Sequence, residues 1–545
     1  MPRKENERNV DRRTFLKSAG GAAATVAIAG CSGGNDGSTE TEATTTAAET
    51  TEGGDATTTE ESDGESGEFG VGVTLGQMDS GLDPQDNAET PTDIIVSQAY
   101  EGLMGRDKEG AIVAKLATEW ERVEPGTARF TLRDATFHNG DSLTAEDVRF
   151  SIRRIVFDDV DIASPQKNDL GNVSDVVAGD GEVTVNFDGL NPIVFQLFAT
   201  NGQIMQKSWV EENSRDYINR NVNGTGPFQL TNYESGNEVA FEPYEDYWDD
   251  TAAVQELTVN SSSESSTRVN RLLAEESDIV TNVPPQEVSR VQNSDVASIK
   301  SVASTRVIFL QMRYDVEPFS NQKFRQAMNY AVDVESIVEN VLNGFGKITG
   351  QPTLDLFTGY NPDVDPYPYD PEEAERLVEE SGFAGAEITL QTPIGRYLKD
   401  VEVAQAAANQ IDSLSNVSCE LQQREFSSLV QDITTGNIED KPAFNLLGWG
   451  NGEFDAAQTI IPLLTTDGAL TILKNEEVDG LIQEAQNEPD PDAREQILQE
   501  ANALLHDVAP WVFMHQQFSV YGVSDSLDWE PRADELIDPY TATQK

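Results

Sequence analysis

"TARFTLRDATFHNGDSLTAEDVRFSIRRI", residues 127–155, changes its backbone period partway along. Around Phe130 and Leu132 apolar and polar residues alternate, the spacing of a half-buried strand. His138-Asn139-Gly140-Asp141 then reads as a turn. Thr144 is placed to cap a helix, with Asp147 three residues on as in a capping box. Beyond it Val148, Ile152, Ile155 and Val156 recur at helical spacing. Strand, turn and capped helix in one short segment predict a mixed α/β chain.

The same patterning continues outward. Ser320 precedes a stripe of Phe324, Ala327, Met328, Ala331 and Val332, an amphipathic helix by its spacing. Asp333 can cap a second helix that closes at Gly344. Asp370-Pro371-Glu372-Glu373 supplies a cap, a proline in the first turn and a glutamate at the third position. These stripes are expected to be core rather than site.

The N-terminus has a different character. "DRRTFLKSAGGAAATVAIAGC", residues 11–31, places Arg12 and Arg13 before an apolar run that ends in Ile28-Ala29-Gly30-Cys31. That run is shorter than the roughly 18 apolar residues a membrane-spanning helix requires, and it fits the apolar region of a secretory signal behind a basic start. The paired arginines followed by Phe-Leu resemble a twin-arginine export signal. The last four residues resemble a lipobox, whose cysteine is lipidated. From Ser32 to about Gly67 the chain is almost all Ser, Thr, Glu, Asp, Gly and Ala, too poor in apolar surface to offset its ordering entropy. Residues 1–30 are thus expected to be a signal, and 31–67 a lipid-anchored acidic linker.

The chain has 545 residues, so several domains are expected once signal and linker are set aside. With 37 basic against 96 acidic side chains the formal charge is −59. Residues 1–30 hold six of the basic and three of the acidic ones, which leaves −62 on the remainder. Acids spread through every region point to a halophile's salt-screened surface rather than a patch for one basic partner. They exclude nucleic acid as a general partner, because phosphate contacts need the opposite sign. The cysteines are Cys31 and Cys419; with the first lipidated, Cys419 is expected to be a small buried residue without a disulfide. His138, His506 and His515 share no metal-ligand spacing, and no nucleophile elbow, phosphate-cradling loop or zinc-protease helix motif is present. No enzyme activity, cofactor or metal is expected.

Six stretches in order carry a resemblance. They are "YEGLMGRDKEGAIVAKLATEWERVEPGTARFTLRDATFHNGDSLTAEDVRFSI", "GTGPFQLTNYESGNEVAFEPYEDYW", "EPFSNQKFRQAMNYAVDVESIVENVLNGFG", "YDPEEAERLVEESGF", "FNLLGWGNGEFD" and "REQILQEANALLHDVAPWVFMH", the first holding several motifs. Together they resemble the substrate-binding proteins of peptide/nickel ABC importers, from Leu82 to about Tyr521. The resemblance implies an α/β, two-lobed periplasmic-binding-protein-like fold with a hinge and an extra inserted α+β domain. Ligand would be trapped by closure of the lobes. Lobe I would comprise 68–107, 218–308 and 515–545, the inserted domain 108–217, and lobe II 309–514.

By the same resemblance, ligand contacts fall on three stretches. Ala88-Glu89-Thr90 is the early pocket loop. Arg396, with Tyr397 beside it, stands where the family often binds a ligand carboxylate, a role that suits a planar guanidinium; a surface ion pair is the bland alternative. Trp449, between Gly448 and Gly450, would offer an open face for stacking, or else pack in the core. Peptide receptors often carry an aspartate three residues after that tryptophan for the ligand amine; here Gly452 stands there, with Glu453 and Asp455 close enough to substitute.

The expected function is an extracytoplasmic, lipid-anchored receptor that captures di- or oligopeptides and delivers them to an ABC permease and its ATPase. The membrane is expected to be touched through the anchor alone, and the protein to be a monomer. Alternatives within the fold are an oligosaccharide, for which Trp449, Tyr397 and Tyr247 would suit stacking, or a nickel chelate. A sensory receptor is a further alternative.

Overall fold

The computed structural model describes residues 69–545 apart from 79, 80, 88, 158, 159, 168 and 436. Arg12, Arg13, Cys31 and the linker 31–67 lie outside the described residues, as does Ala88.

The fold is mixed α/β and two-lobed, built on an 11-stranded sheet that runs through both lobes. In the first lobe Phe69–Leu75 lies parallel to Val254–Ser261 and to the short strand Ile279–Val280. Glu238–Pro243 and Phe228–Glu234 extend this part antiparallel. In the second lobe Ala386–Pro393 pairs in parallel with Val417–Arg424 and Phe444–Gly450. Two long antiparallel strands, Ala297–Met312 and Trp511–Ser524, cross between the lobes. Their register runs from Ala297↔Ser524 to Ala303↔Phe518, breaks, and resumes at Val307↔Gln516. A register break bends the pair and raises its twist.

These strands displace the expected boundaries. Residues 309 and 514 fall inside them, so the lobes join through continuous β-structure instead of loops. The boundary at 107/108 splits a hairpin in which Met104–Arg106 pairs with Ile112–Ala114, and 217/218 falls inside the helix Arg215–Ile218.

A separate four-stranded antiparallel sheet forms from Ala117–Glu124, Thr127–Leu132, Glu182–Phe187 and Val173–Ala178, in that spatial order. The helix Ala145–Val156 closes over it, and Phe130, Phe137, Val148, Ile152, Val183 and Val185 form its own core. Both halves of the Thr144 capping box are present. Asp333 and Asp370 also cap as expected, accepting from the backbone N–H of Ser336 and Glu373. Elsewhere the ends differ: Asn321 caps the helix Gln322–Ala331, Val332 lies past its end, and the next helix stops at Asn340. Cys419 is buried on the strand Val417–Arg424, where burial pushes its thiol up to about 12.

Several motif residues turn out to be internal clamps. The Glu101 carboxylate is buried and accepts from Thr225 (3.1 Å), Tyr247 (2.9 Å) and Trp248 (2.8 Å), with Lys115 at 3.5 Å. Two of the sequence blocks therefore meet on one charge. Gly224 is required by this approach, because a Cβ there would lie 1.8 Å from the Ala99 carbonyl oxygen. Arg154 is bidentate to Asp83 at 3.0 and 2.6 Å, and Arg494 to Asp455 at 2.7 and 2.8 Å. Arg325 donates to the carbonyls of Phe319, Val508 and Ala509, tying its helix to the end of Pro491–Val508. Buried charges need such partners, since an uncompensated one costs several kcal/mol.

Candidate ligand-binding site

Between the lobes lies a cleft of about 640 Å³. That is within the range of small-molecule pockets, typically about 300–1,000 Å³. The first lobe contributes the face of the helix Thr90–Val96 and the inserted domain adds Asp169, Thr200 and Asn201. The second lobe contributes Arg396, Tyr397, Phe426 and Trp449, and the C-terminal segment passes along the floor from Arg532 to Tyr540.

Arg396 sits on a loop that the chain builds around one buried carboxylate. Asp400, the first residue of the helix Asp400–Asp412, accepts from the backbone N–H of Gly395 (3.1 Å), Arg396 (2.7 Å) and Tyr397 (3.1 Å). Gly395 takes a left-handed φ of 72° to make the turn. The Arg396 guanidinium lies 5.2 Å from the ring centroids of both Tyr397 and Phe426, and is open to the cleft. No carboxylate among the described residues stands within ion-pair distance of it. Its surroundings lower its pKa, first through the crowding of the walls and then through the neighbouring Arg306. A cation in that setting is poised to accept an anion.

Tyr397 supports this arginine from below. Its ring is buried and its hydroxyl donates to the Gly448 carbonyl at 3.2 Å. Gly448 must be glycine, because a Cβ would meet Tyr397 at 2.7 Å and Ile308 at 2.6 Å. Trp449 is half-buried, lines the cleft, and donates its indole N–H to the Gln458 carbonyl at 3.2 Å. Gly450 lies beneath the Arg306 guanidinium, and Arg306 in turn is 3.6 Å from Glu535.

The other expected contacts divide. Thr90 lines the cleft, whereas Glu89 is exposed outside the wall and its backbone carbonyl starts the helix. Asp455 is corrected: it is 0% exposed, caps the helix Ala456–Leu464, and is bidentate to Arg494, so it has no oxygen free for a ligand amine. Glu453 turns toward the inserted domain, where Asn201 donates to its carboxylate at 3.3 Å; burial raises its pKa. Tyr247 is also corrected as a stacking surface, since its ring is buried and its hydroxyl is held by Glu101.

Residues 452–454 are gripped from across the cleft. Thr200 donates to the Gly452 carbonyl at 2.9 Å and Arg106 to the Glu453 carbonyl at 3.1 Å, while the Arg106 guanidinium lies 4.6 Å from the Phe454 ring centroid. A Cβ at Gly452 would come within 3.0 Å of the Thr200 methyl. The position that carries an aspartate in peptide receptors is thus part of a lobe-to-lobe contact here.

Cleft residues that the sequence did not single out include Arg306, Asp93, Asp169, Gln166 and the tail carboxylates Asp534 and Glu535. The one available signal was the shortage of basic residues in so acidic a chain, which marked Arg396 but would also have marked Arg306. Among the described residues no group of three or more His, Cys, Asp or Glu side chains is placed to hold a metal ion, and no helix is long and apolar enough to cross a membrane.

Two lobes thus flank a charged cleft of ligand size. Residues 111–470 match the family described as bacterial extracellular solute-binding proteins, family 5, middle region, and the chain belongs to that family. It is 24% identical over 434 residues to the dipeptide-binding protein of Escherichia coli, covering 73% of this chain and 80% of that protein. It is also 24% identical over 302 residues to heme-binding protein A of Haemophilus influenzae, a match that spans only 53% of either chain. Among solved structures, the fold is similar to DppA of Helicobacter pylori in complex with the peptide STSA, at a TM-score of 0.74, 20% identity, and coverage of 88% of this chain and 98% of that one.

Proposed function

We propose that this protein is an extracytoplasmic receptor that captures a di- or oligopeptide between its lobes and delivers it to an ABC importer. The observation that carries the reading is Arg396: a guanidinium presented into the cleft on a purpose-built loop, backed by two aromatic rings and left without a carboxylate. Such a group matches the C-terminal carboxylate of a short peptide. Peptide-binding relatives and a peptide-bound structural neighbour support the same class. The protein binds and releases its ligand unchanged, acting as a receptor and not as an enzyme.

The test is mass spectrometry of small molecules that co-purify with the native protein, followed by calorimetry with free and C-amidated peptides. Amidation is expected to weaken binding by about 2–5 kcal/mol, the typical cost of unpairing a desolvated charge. Binding of a sugar or a nickel–histidine chelate, with no peptide bound, would contradict the reading.

We further propose twin-arginine export through Arg12 and Arg13 and lipid anchoring at Cys31, with the receptor acting as a monomer in a salt-rich medium. Arg12→Lys with Arg13→Lys is expected to retain the protein in the cytoplasm, and Cys31→Ala to release it into the medium; normal surface display of either variant counts against the assignment. The charge of −62 outside the signal is expected to make the melting temperature fall as salt drops below molar, where screening lengthens from about 3 Å.

A further inference from the structure

Another part of the cleft wall is acidic and has no basic partner. Asp93, from the helix Thr90–Val96, and Asp169, from the inserted domain, both line it. Neither has a basic side chain within ion-pair distance among the described residues. Arg106, which also lines the cleft, donates instead to neutral oxygens of Thr200, Gly110, Gln196 and Glu453.

A second, independent observation comes from Gln166, which is 6% exposed and forms part of the same wall. Its Nε2 donates to the carbonyls of Pro84 and Asn87, both at 2.9 Å, and this fixes which end of the amide is which. The Oε1 is left buried with no donor. The Oε1 of Gln203, also in the cleft wall, lacks a donor as well. Buried acceptors are ordinarily paired, so one without a partner in a residue of the cavity wall leaves room for a further donor.

We propose that Asp93, Asp169 and Gln166 form a subsite for a ligand cation that carries several N–H donors, an ammonium or a guanidinium. The inference rests on the receptor reading above and sharpens it: the preferred ligand carries a carboxylate at one end and such a cation at the other. The amine role that Gly452 cannot fill passes to the opposite wall, on the first lobe and the inserted domain. Two carboxylates and an amide oxygen from different segments suit an ammonium or guanidinium better than a single carboxylate does, because each N–H finds its own acceptor.

The electrostatics agree. Burial, with Asp169 and Glu89 adding to it and a hydrogen bond from Asn87 opposing it, raises Asp93 to about 7. Burial and the nearby Glu453 raise Asp169 to about 6. The carboxylates repel one another, and an arriving cation relieves that repulsion while displacing a proton.

Calorimetry with three peptides that all keep a free C-terminus tests the inference: Ala-Ala-Ala, N-acetyl-Ala-Ala-Ala and N-acetyl-Ala-Lys-Ala. At least one of the two cationic peptides is expected to bind 10-fold or more tighter than N-acetyl-Ala-Ala-Ala, and which one does so identifies the amine or the side chain as the source of the cation. The double variant Asp93→Asn with Asp169→Asn is expected to abolish that preference and leave the neutral peptide's affinity unchanged. Repeating the wild-type titration at pH 7 in buffers of different ionisation enthalpy is expected to show net proton release, a readout that does not depend on the variant folding. Equal affinity for all three peptides overturns the subsite and leaves the receptor reading standing. Equal loss of cationic and neutral binding in the variant, or no proton release, also overturns it. If none of the three binds, both readings fall.

Discussion

Two sets of charged groups in this molecule are held in different ways. Asp83 with Arg154, Asp455 with Arg494, and Glu101 with four donors are matched within the fold. The cleft wall keeps matched pairs too, Arg306 with Glu535 and Arg532 with Asp534, but there Arg396 has no carboxylate and Asp93 and Asp169 no basic side chain within ion-pair distance, and the Gln166 amide oxygen has no donor. Folding alone would not favour this, because unmatched polar groups near a low-dielectric wall are destabilising. The difference separates scaffold from site without reference to any relative. Matched groups hold the walls in place, and unmatched ones await a partner.

Breaking the contrast on its matched side has the largest expected effect. Arg494→Ala leaves Asp455, 0% exposed, as a buried charge without its partner. The expected loss is about 3–5 kcal/mol of stability, visible as a fall in melting temperature or in soluble yield. A melting curve identical to the wild type would contradict the scaffold role.

On the unmatched side the pH dependence runs the other way. Asp93 is raised to about 7 in the folded protein, against about 3.9 for a free aspartate. Below about pH 4 it is protonated in both states and carries no cost. As pH rises from about 4 through about 7 the unfolded chain gives up the proton more readily, so stability is lost over that window. Asp93→Asn removes this loss, and is expected to stabilise by about 1–2 kcal/mol at pH 8 and not at pH 4. Parallel curves for the two proteins across that range would contradict it.

The smallest effect is expected where the two regions touch. Thr200→Val deletes the bond from the Thr200 hydroxyl to the Gly452 carbonyl, worth about 1 kcal/mol. It is expected to weaken ligand affinity about fivefold with the melting temperature unchanged. An equal shift in both quantities would make the contact part of the scaffold instead of a closure contact.

The scaffold side was largely legible in the sequence, because its signals are local. Capping at Thr144, Asp333 and Asp370 needs only residues three apart, and the ordered motif blocks brought the two-lobed fold with them. The boundaries were displaced because nothing local marks where a strand such as Ala297–Met312 passes from one lobe to the other. Of the expected contacts, Thr90, Arg396, Tyr397, Trp449 and Gly450 line the cleft. Asp455 was misassigned since closeness to Trp449 in sequence does not say which way a capping side chain turns. Asp93, Asp169 and Gln166 meet through the packing of the inserted domain on the first lobe, and two of them are ordinary members of a set of 96 acids.

The claim that unmatched charges are the site and matched ones the scaffold is tested most directly on Arg396→Ala, with affinity and melting temperature read from one preparation. The account predicts that affinity for a peptide with a free carboxylate falls by about 2–5 kcal/mol while the melting temperature stays at the wild-type value. A lowered melting temperature with affinity unchanged would place Arg396 in the scaffold and contradict the account.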